Sequence, residues 1–230
     1  MQILNEPWPW FGTLRGRPLS AANLISAGTL SAGAASLLWW AIQHGASVFV
    51  AAGPPGAGKS TLANALLEYL PENARVYVTS GPWDRIDLAP GDDGPLYLLV
   101  NELSAHMPIY LYGPAAQQAF ALLNRGVRII GTLHARSAAE ALRVICDEGD
   151  IAFESLATPF VFAVIAASWQ GPRIVRRLID LAFLPPGGEL VSLDAAAADP
   201  SGVQSLARWS GIAVEEVQAE IASRAAHLPA

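Results

Sequence analysis

Gly53-Pro54-Pro55-Gly56-Ala57-Gly58-Lys59-Ser60 matches the phosphate-loop pattern G-x-x-x-x-G-K-[ST] at every fixed position. An apolar, β-branched run, Ser47 to Ala52, precedes it, and a helix-like stretch, Thr61 to Leu70, follows. That is the strand-loop-helix context the pattern needs. Glycines let the backbone curl so that successive N–H groups point inward, and the helix N-terminus adds partial positive charge at the same spot. The stretch therefore reads as an anion cradle for a nucleotide, with ATP and Mg²⁺ the expected ligands. Lys59 is placed to reach the β- and γ-phosphates and Ser60 to set its hydroxyl on Mg²⁺. The expected binding set is Gly53, Pro54, Pro55, Gly56, Ala57, Gly58, Lys59, Ser60 and Thr61, the last a second hydroxyl with no assigned role. An ordinary Gly/Pro turn before a helix does not require Lys and Ser directly after its last Gly.

At 230 residues and 52% hydrophobic content, the chain can bury a full α/β core, and one main domain is expected. A net charge of −6 argues against a basic face, so no nucleic-acid partner is expected. The single cysteine, Cys146, excludes an intramolecular disulfide and suits a reducing cytosol. No Asp, Glu, Lys or Arg lies between Arg17 and Lys59, which raises the question of a membrane span over Thr29 to Ile42. That stretch is short, Ala-rich and interrupted by Ser31, Gly33 and Ser36, so a soluble helix is the expectation. Glu6 and two tryptophans precede the first arginine, unlike a signal peptide. The expected location is the cytoplasm.

Residues 1–17 form a Pro/Trp-rich arm whose Trp8, Trp10 and Phe11 are suited to packing. Helical patterns follow from Ser20, and from Ser31 as a new N-cap, with Gly45 as the stop. After the loop, Leu62, Leu66 and Leu70 recur every four residues until Pro71. Arg75 to Thr79 reads as a second strand and Leu96 to Val100 as a third, continuously apolar as buried parallel strands are. The third ends in Asn101-Glu102, where a carboxylate at a strand tip can orient or deprotonate an attacking water. Pro114 to Asn124 is a helix, and Val127 to Leu133 a fourth strand delivering Thr132 and His134 to the edge that carries the loop. Ser137 and Glu140 fit a capping box. Phe160 to Ala166 and Ile174 to Phe183 form two more strands, whose Arg173, Arg176 and Arg177 read as a solvated sheet face. Pro185 to Gly188 is a linker, and two short helices divided at Gly211 complete a tail over residues 186–230. The main domain thus spans residues 18–185. The fold class is α/β, a mostly parallel sheet flanked by helices with a small C-terminal helical tail.

With these residues placed, the chain resembles the secretion-superfamily ATPases, hexameric motors of type II and type IV secretion and of pilus assembly. The likeness is carried by Asn23 to Ser31 with its following helix, by the phosphate loop, by Val100-Asn101-Glu102-Leu103 and by Gly131-Thr132-Leu133-His134-Ala135. The tail from Leu206 to Leu228 is similar to the ends of Tad-type pilus ATPases. The resemblance implies a RecA-like P-loop domain, with Glu102 as base and Thr132 and His134 as sensors of the γ-phosphate. It also implies a ring-shaped homo-oligomer working against an inner-membrane platform protein, peripheral to the inner face of the membrane.

The chain also departs from that family. Thr79-Ser80-Gly81-Pro82 replaces the family's Glu-Asp pair, leaving Asp84 as a remnant, and the arginine-bearing segment looks deleted between Asp87 and Gly94. Asn101 stands where a metal-binding Asp would lie, and the family's large N-terminal domain has no counterpart in the sequence. An arginine aimed at the transition state is worth roughly 10³ to 10⁵ in turnover in related systems, so a slow enzyme is expected unless Arg15, Arg17, Arg125, Arg128 or Arg136 substitutes. Two readings follow: a compact motor ATPase, or a nucleotide-binding subunit with weak catalysis that partners a complete ATPase. A small-molecule kinase is disfavoured, since no basic lid segment lies between the third and fourth strands.

Overall fold

The computed structural model describes residues 1–5, 19–84, 86, 94–156, 158–193 and 200–229. Trp8, Trp10 and Phe11, Arg15 and Arg17, and the stretch 87–93 lie outside the described residues.

Among the described residues eight strands join in one sheet: β1 (Gln2–Ile3), β2 (Ser47–Ala51), β3 (Arg75–Val78), β4 (Leu96–Val100), β5 (Arg128–Leu133), β6 (Phe160–Gln170), β7 (Arg173–Leu184) and β8 (Val191–Ser192). Their spatial order is β1-β3-β4-β5-β2-β6-β7-β8. All pairings from β1 to β6 are parallel, while β6–β7 and β7–β8 are antiparallel. The strand before the phosphate loop, β2, therefore sits in the middle, with β5 between it and β4. The short first strand belongs to the sheet edge rather than to a free arm: Gln2 and Leu4 N–H donate to Ala74 and Val76 carbonyls at 2.8 Å. Asn5 extends the pairing, its side chain bonding both the N–H and the carbonyl of Val78.

Helices cover both faces, as a parallel sheet requires. On one face lie α1 (Ala21–Ser26), α2 (Ala32–Gln43), α3 (Lys59–Ala65), α6 (Pro200–Ser210) and α7 (Val214–Ala226); on the other lie α4 (Gly113–Ala121) and α5 (Ala138–Arg143). Strand alternation assigns the side chains. Val48 and Val50 of β2 enter the first core, and Phe49 and Ala51 the second. In the second core Phe49, Phe120, Phe160 and Phe162 stack with centroids 6.1 to 6.5 Å apart. The Thr29 to Ile42 stretch is resolved by packing: Leu38, Trp40 and Ile42 are fully buried, and no described helix is long and apolar enough to cross a membrane.

Local chemistry sets the helix ends. Ser20 and Asn23 form a reciprocal capping box on α1, and Ser31 Oγ accepts from Ala34 N–H to start α2. The expected box at Ser137 is half formed. Ser137 Oγ accepts from Glu140 N–H, but Glu140 Oε2 reaches past it to the N–H of Arg136. The helix after the loop is shorter than its leucine stripe implies, tightening to a 3₁₀ turn over Leu66–Tyr69.

The C-terminal stretch shares the first core. Gly211, at φ +73°, turns the chain between α6 and α7, Leu206 and Val217 are fully buried, and Glu220 Oε2 accepts from Trp40 Nε1–H at 2.9 Å. The strand β8 follows the expected linker, within the stretch read as tail, and extends the sheet.

Two outcomes follow. Leu206→Ala is expected to lower unfolding free energy by about 2 to 5 kcal/mol, read from denaturant midpoints, because α6 seals the core rather than trailing from it. Burial pushes the Tyr97 hydroxyl, which donates to the Ile42 carbonyl at 3.1 Å, up to about 12 from the ordinary 10.0. The folded state thus keeps a proton that the unfolded chain releases, and this contribution is complete below pH 10 and lost as pH rises through 12. Tyr97→Phe is expected to flatten the alkaline part of a pH–stability curve measured by circular dichroism.

Candidate phosphate-binding site

Parallel pairing carries the ends of β2, β4 and β5 to one edge of the sheet, where crevices outside strand termini gather ligands. From β2 the loop Gly53–Gly58 leads into α3. Gly56 and Gly58 hold φ of +72° and +101°, conformations L side chains rarely adopt, so the loop curls only because these two positions are glycine. Among the described residues, none of the N–H groups from Gly56 to Thr61 donates to a protein acceptor, and the first turn of α3 opens with Leu62 N–H on the Gly58 carbonyl. A row of free donors at a helix N-terminus fits a phosphate chain, and the Ser60 hydroxyl beside it fits Mg²⁺.

Lys59, the chain's only lysine, is 7% exposed. Its Nζ lies 3.4 Å from Glu102 Oε2 and 3.1 Å from His134 Nε2, and Glu102 Oε1 is 3.3 Å from His134 Nε2. The residue at the end of β4 and the residue at the end of β5 therefore meet at the ammonium. His134 Nδ1 lies 2.9 Å from the Gly53 carbonyl. A carbonyl only accepts, so Nδ1 carries the hydrogen, leaving Nε2 to accept from Lys59 when the ring is neutral. Burial lowers the Lys59 pKa, and the neighbouring carboxylate of Glu102 partly restores it.

Glu102 is itself pinned. Its carbonyl accepts from Leu111 N–H at 2.9 Å, and Leu103 N–H donates to Thr132 O at 2.8 Å, so the chain leaves β4, loops out and returns at Leu111. That excursion sets Tyr110 on the wall of a cleft of about 670 Å³ lined by Pro55–Leu62, Glu102, His134, Leu19, Leu24 and Arg173–Arg176.

Three expectations are corrected by this geometry. Thr132 does not line the cleft; it is buried and its hydroxyl donates to the Asn101 carbonyl, so it fixes the turn that presents Glu102. Asp84 does not stand in for the family's acidic pair, because its carboxylate accepts from Tyr77 OH at 2.6 Å and Ser80 N–H at 2.7 Å in its own turn. The arginines of β7 are not merely a solvated face, since Arg173 and Arg176 line the cleft and Arg176 Nη2–H donates to the Gly56 carbonyl at 3.0 Å. Of the other candidate arginines, Arg128 is spent on the Gly45 and Val127 carbonyls and Arg125 ends the turn before β5, both at the opposite edge; Arg136 packs against Gly53. Tyr110, Arg173 and Arg176 belong to no motif, and only tertiary pairing brings them to the loop.

The chain is thus an α/β protein whose phosphate loop opens a helix at the C-terminal edge of a mostly parallel sheet. No model of a known protein family matches it. It is 24% identical, over 71% of its length, to the uncharacterized protein MJ0900 of Methanocaldococcus jannaschii, of which it spans about a third. Among solved structures it is similar to the VirB11 ATPase of the Brucella suis type IV secretion system in complex with sulphate (18% identity, TM-score 0.42, 64% of this chain and 51% of that one). It is also similar to the Legionella pneumophila ATPase DotB (14% identity, TM-score 0.45, 90% and 57%).

In Glu102→Gln the buried ammonium loses the carboxylate that raises its pKa. The Lys59 titration is therefore expected to move to lower pH than in the wild type. Reductive ¹³C-methylation followed by NMR reads this, because Lys59 is the chain's only lysine and the labelled N-terminal amine is told apart as the signal that remains in Lys59→Ala.

Proposed function

We propose that the chain binds MgATP on Gly53–Thr61 and hydrolyses it, as a motor subunit of a type II or type IV secretion or pilus-assembly system. The observation that supports this most is the convergence of Glu102 and His134 on Lys59 at the mouth of the phosphate loop. Mg²⁺ held at the Ser60 hydroxyl would supply positive charge to the phosphates.

The chain's own groups divide the remaining work. Lys59 exchanges its bonds to Glu102 and His134 for phosphate oxygens, which frees the Glu102 carboxylate. Glu102 then accepts a proton from water as the water oxygen bonds to the γ-phosphorus. The bond from that phosphorus to the β–γ bridging oxygen breaks, ADP departs with the electron pair, and phosphate is released. His134, tied to the Gly53 carbonyl, reports whether the loop is filled. A hexameric ring, a platform protein at the inner membrane and a place on its cytoplasmic face rest on the motif resemblance alone.

A second reading, a nucleotide-binding subunit with little turnover beside a complete ATPase, is favoured by one feature. Glu102 is the sole carboxylate among the described residues lining the cleft, and Asp84 is engaged elsewhere. Measured MgATP turnover separates the two. The motor reading expects Glu102→Gln to lose about 10² to 10⁴ in kcat with nucleotide affinity retained, and Lys59→Ala to lose affinity. Turnover equal in wild type and Lys59→Ala, beside tight binding in the wild type, supports the second reading.

A further inference from the structure

Strand β6 runs parallel to β2 with Ala51 opposite Val164, then continues for the residues Ile165 to Gln170 beyond the point where β2 has turned into the phosphate loop. At 3.3 Å per residue that is an overhang of about 20 Å. The chain reverses at Gly171, φ +58°, and β7 returns from Arg173. A register shift between Val164 and Ile165, where the overhang begins, adds local twist. The base of the hairpin is anchored, with Leu178 N–H on the Thr29 carbonyl at 2.8 Å and Asp180 Oδ2 accepting from Ala138 N–H at 2.8 Å. The tip is therefore held beside the loop.

Period-two alternation places Ile174, Arg176 and Leu178 on one face of β7, and that face follows the cleft: Leu178 packs on the first core, and Arg176 reaches the loop. Its guanidinium sits on the Gly56 carbonyl through Nη2 at 3.0 Å and Nε at 3.4 Å. Its Cδ lies only 3.0 Å from where a Cβ on Gly58 would be. Among the described residues no carboxylate lies within ion-pair distance of it. A guanidinium with one neutral acceptor and three further N–H groups spans the rim of an anion cradle. A carbonyl is a weaker partner than a phosphate oxygen, so an anion entering the cradle draws the bond to itself.

We propose that Arg176 is the chain's own phosphate-contacting arginine, supplied in cis from the β6–β7 hairpin, and that it selects triphosphate over diphosphate. This rests on the nucleotide-binding reading above. Lys59 takes up the phosphates, and Arg176 adds charge where negative charge accumulates as the γ-phosphoryl departs.

The test compares wild type, Lys59→Ala, Arg176→Gln, Arg176→Lys and Arg177→Gln. Each is measured for affinity to fluorescent MgATP and MgADP analogues, for turnover and for melting temperature. Loss of a charge-assisted bond predicts about tenfold weaker MgATP binding in Arg176→Gln, with MgADP affinity and melting temperature nearly unchanged. Arg176→Lys recovers part of the affinity, kcat falls by roughly 10³-fold or more in both, and Arg177→Gln behaves as wild type. Equal losses for ATP and ADP together with a lower melting temperature would make Arg176 a clamp on the loop and overturn the proposal. So would an unchanged Arg176→Gln beside a Lys59→Ala that no longer binds. If wild type and Lys59→Ala alike bind neither nucleotide, the nucleotide reading itself falls, and this inference falls with it.

Discussion

A buried ammonium must be matched by something, and here the match organises the molecule. Lys59 has lost nearly all contact with water, which by itself favours the neutral amine. Glu102 and His134 restore the balance, and each can do so only if its strand ends at the right depth. That requirement reaches back into the sheet: β4 and β5 must run parallel to β2 and in the observed register, Val100 beside Gly131 and Gly131 beside Phe49. At Gly131 of β5 a Cβ would come within 2.7 Å of Phe49 Cε1, so glycine there makes room for the Phe49 ring.

The same three groups that compensate one another without phosphate are the ones a phosphate would rearrange. The Glu102 carboxylate holds at the Lys59 ammonium the kind of place a phosphate oxygen, also negative, would take. In the function proposed above, filling the loop and releasing the carboxylate are one event, because the same ammonium serves both. The hairpin of β6 and β7 adds a second cation at the rim from a direction the loop motif does not specify.

The C-terminal helices enter the same economy of packing. With α7 against α2, and Glu220 bonded to Trp40 Nε1 and to Arg224, the helix that precedes β2 is braced from outside. α2 leads through Gly45 directly into β2, the strand that carries the loop. The stretch from Leu206 onward thus supports the site without approaching it.

Local sequence was sufficient for the loop, its glycines, the caps at Ser20 and Ser31, the buried strands and the carboxylate and imidazole at strand ends. Each is encoded within a few residues by conformational preference or by periodicity. What local sequence did not decide was which distant elements meet. Arg176 read as a surface arginine because its value depends on how far β6 runs past β2, a matter of inter-strand register. Thr132 read as a site residue, and Asp84 as a remnant of the family's acidic pair, because motif position says nothing about hydrogen-bond partners; the Thr132 hydroxyl goes to the Asn101 carbonyl and the Asp84 carboxylate to Tyr77 OH and the Ser80 N–H. Chain chemistry alone made this an α/β protein with an anion cradle. Only the tertiary structure settled which cations and carboxylate surround it, because side chains far apart in sequence are brought together by strand pairing and not by propensity.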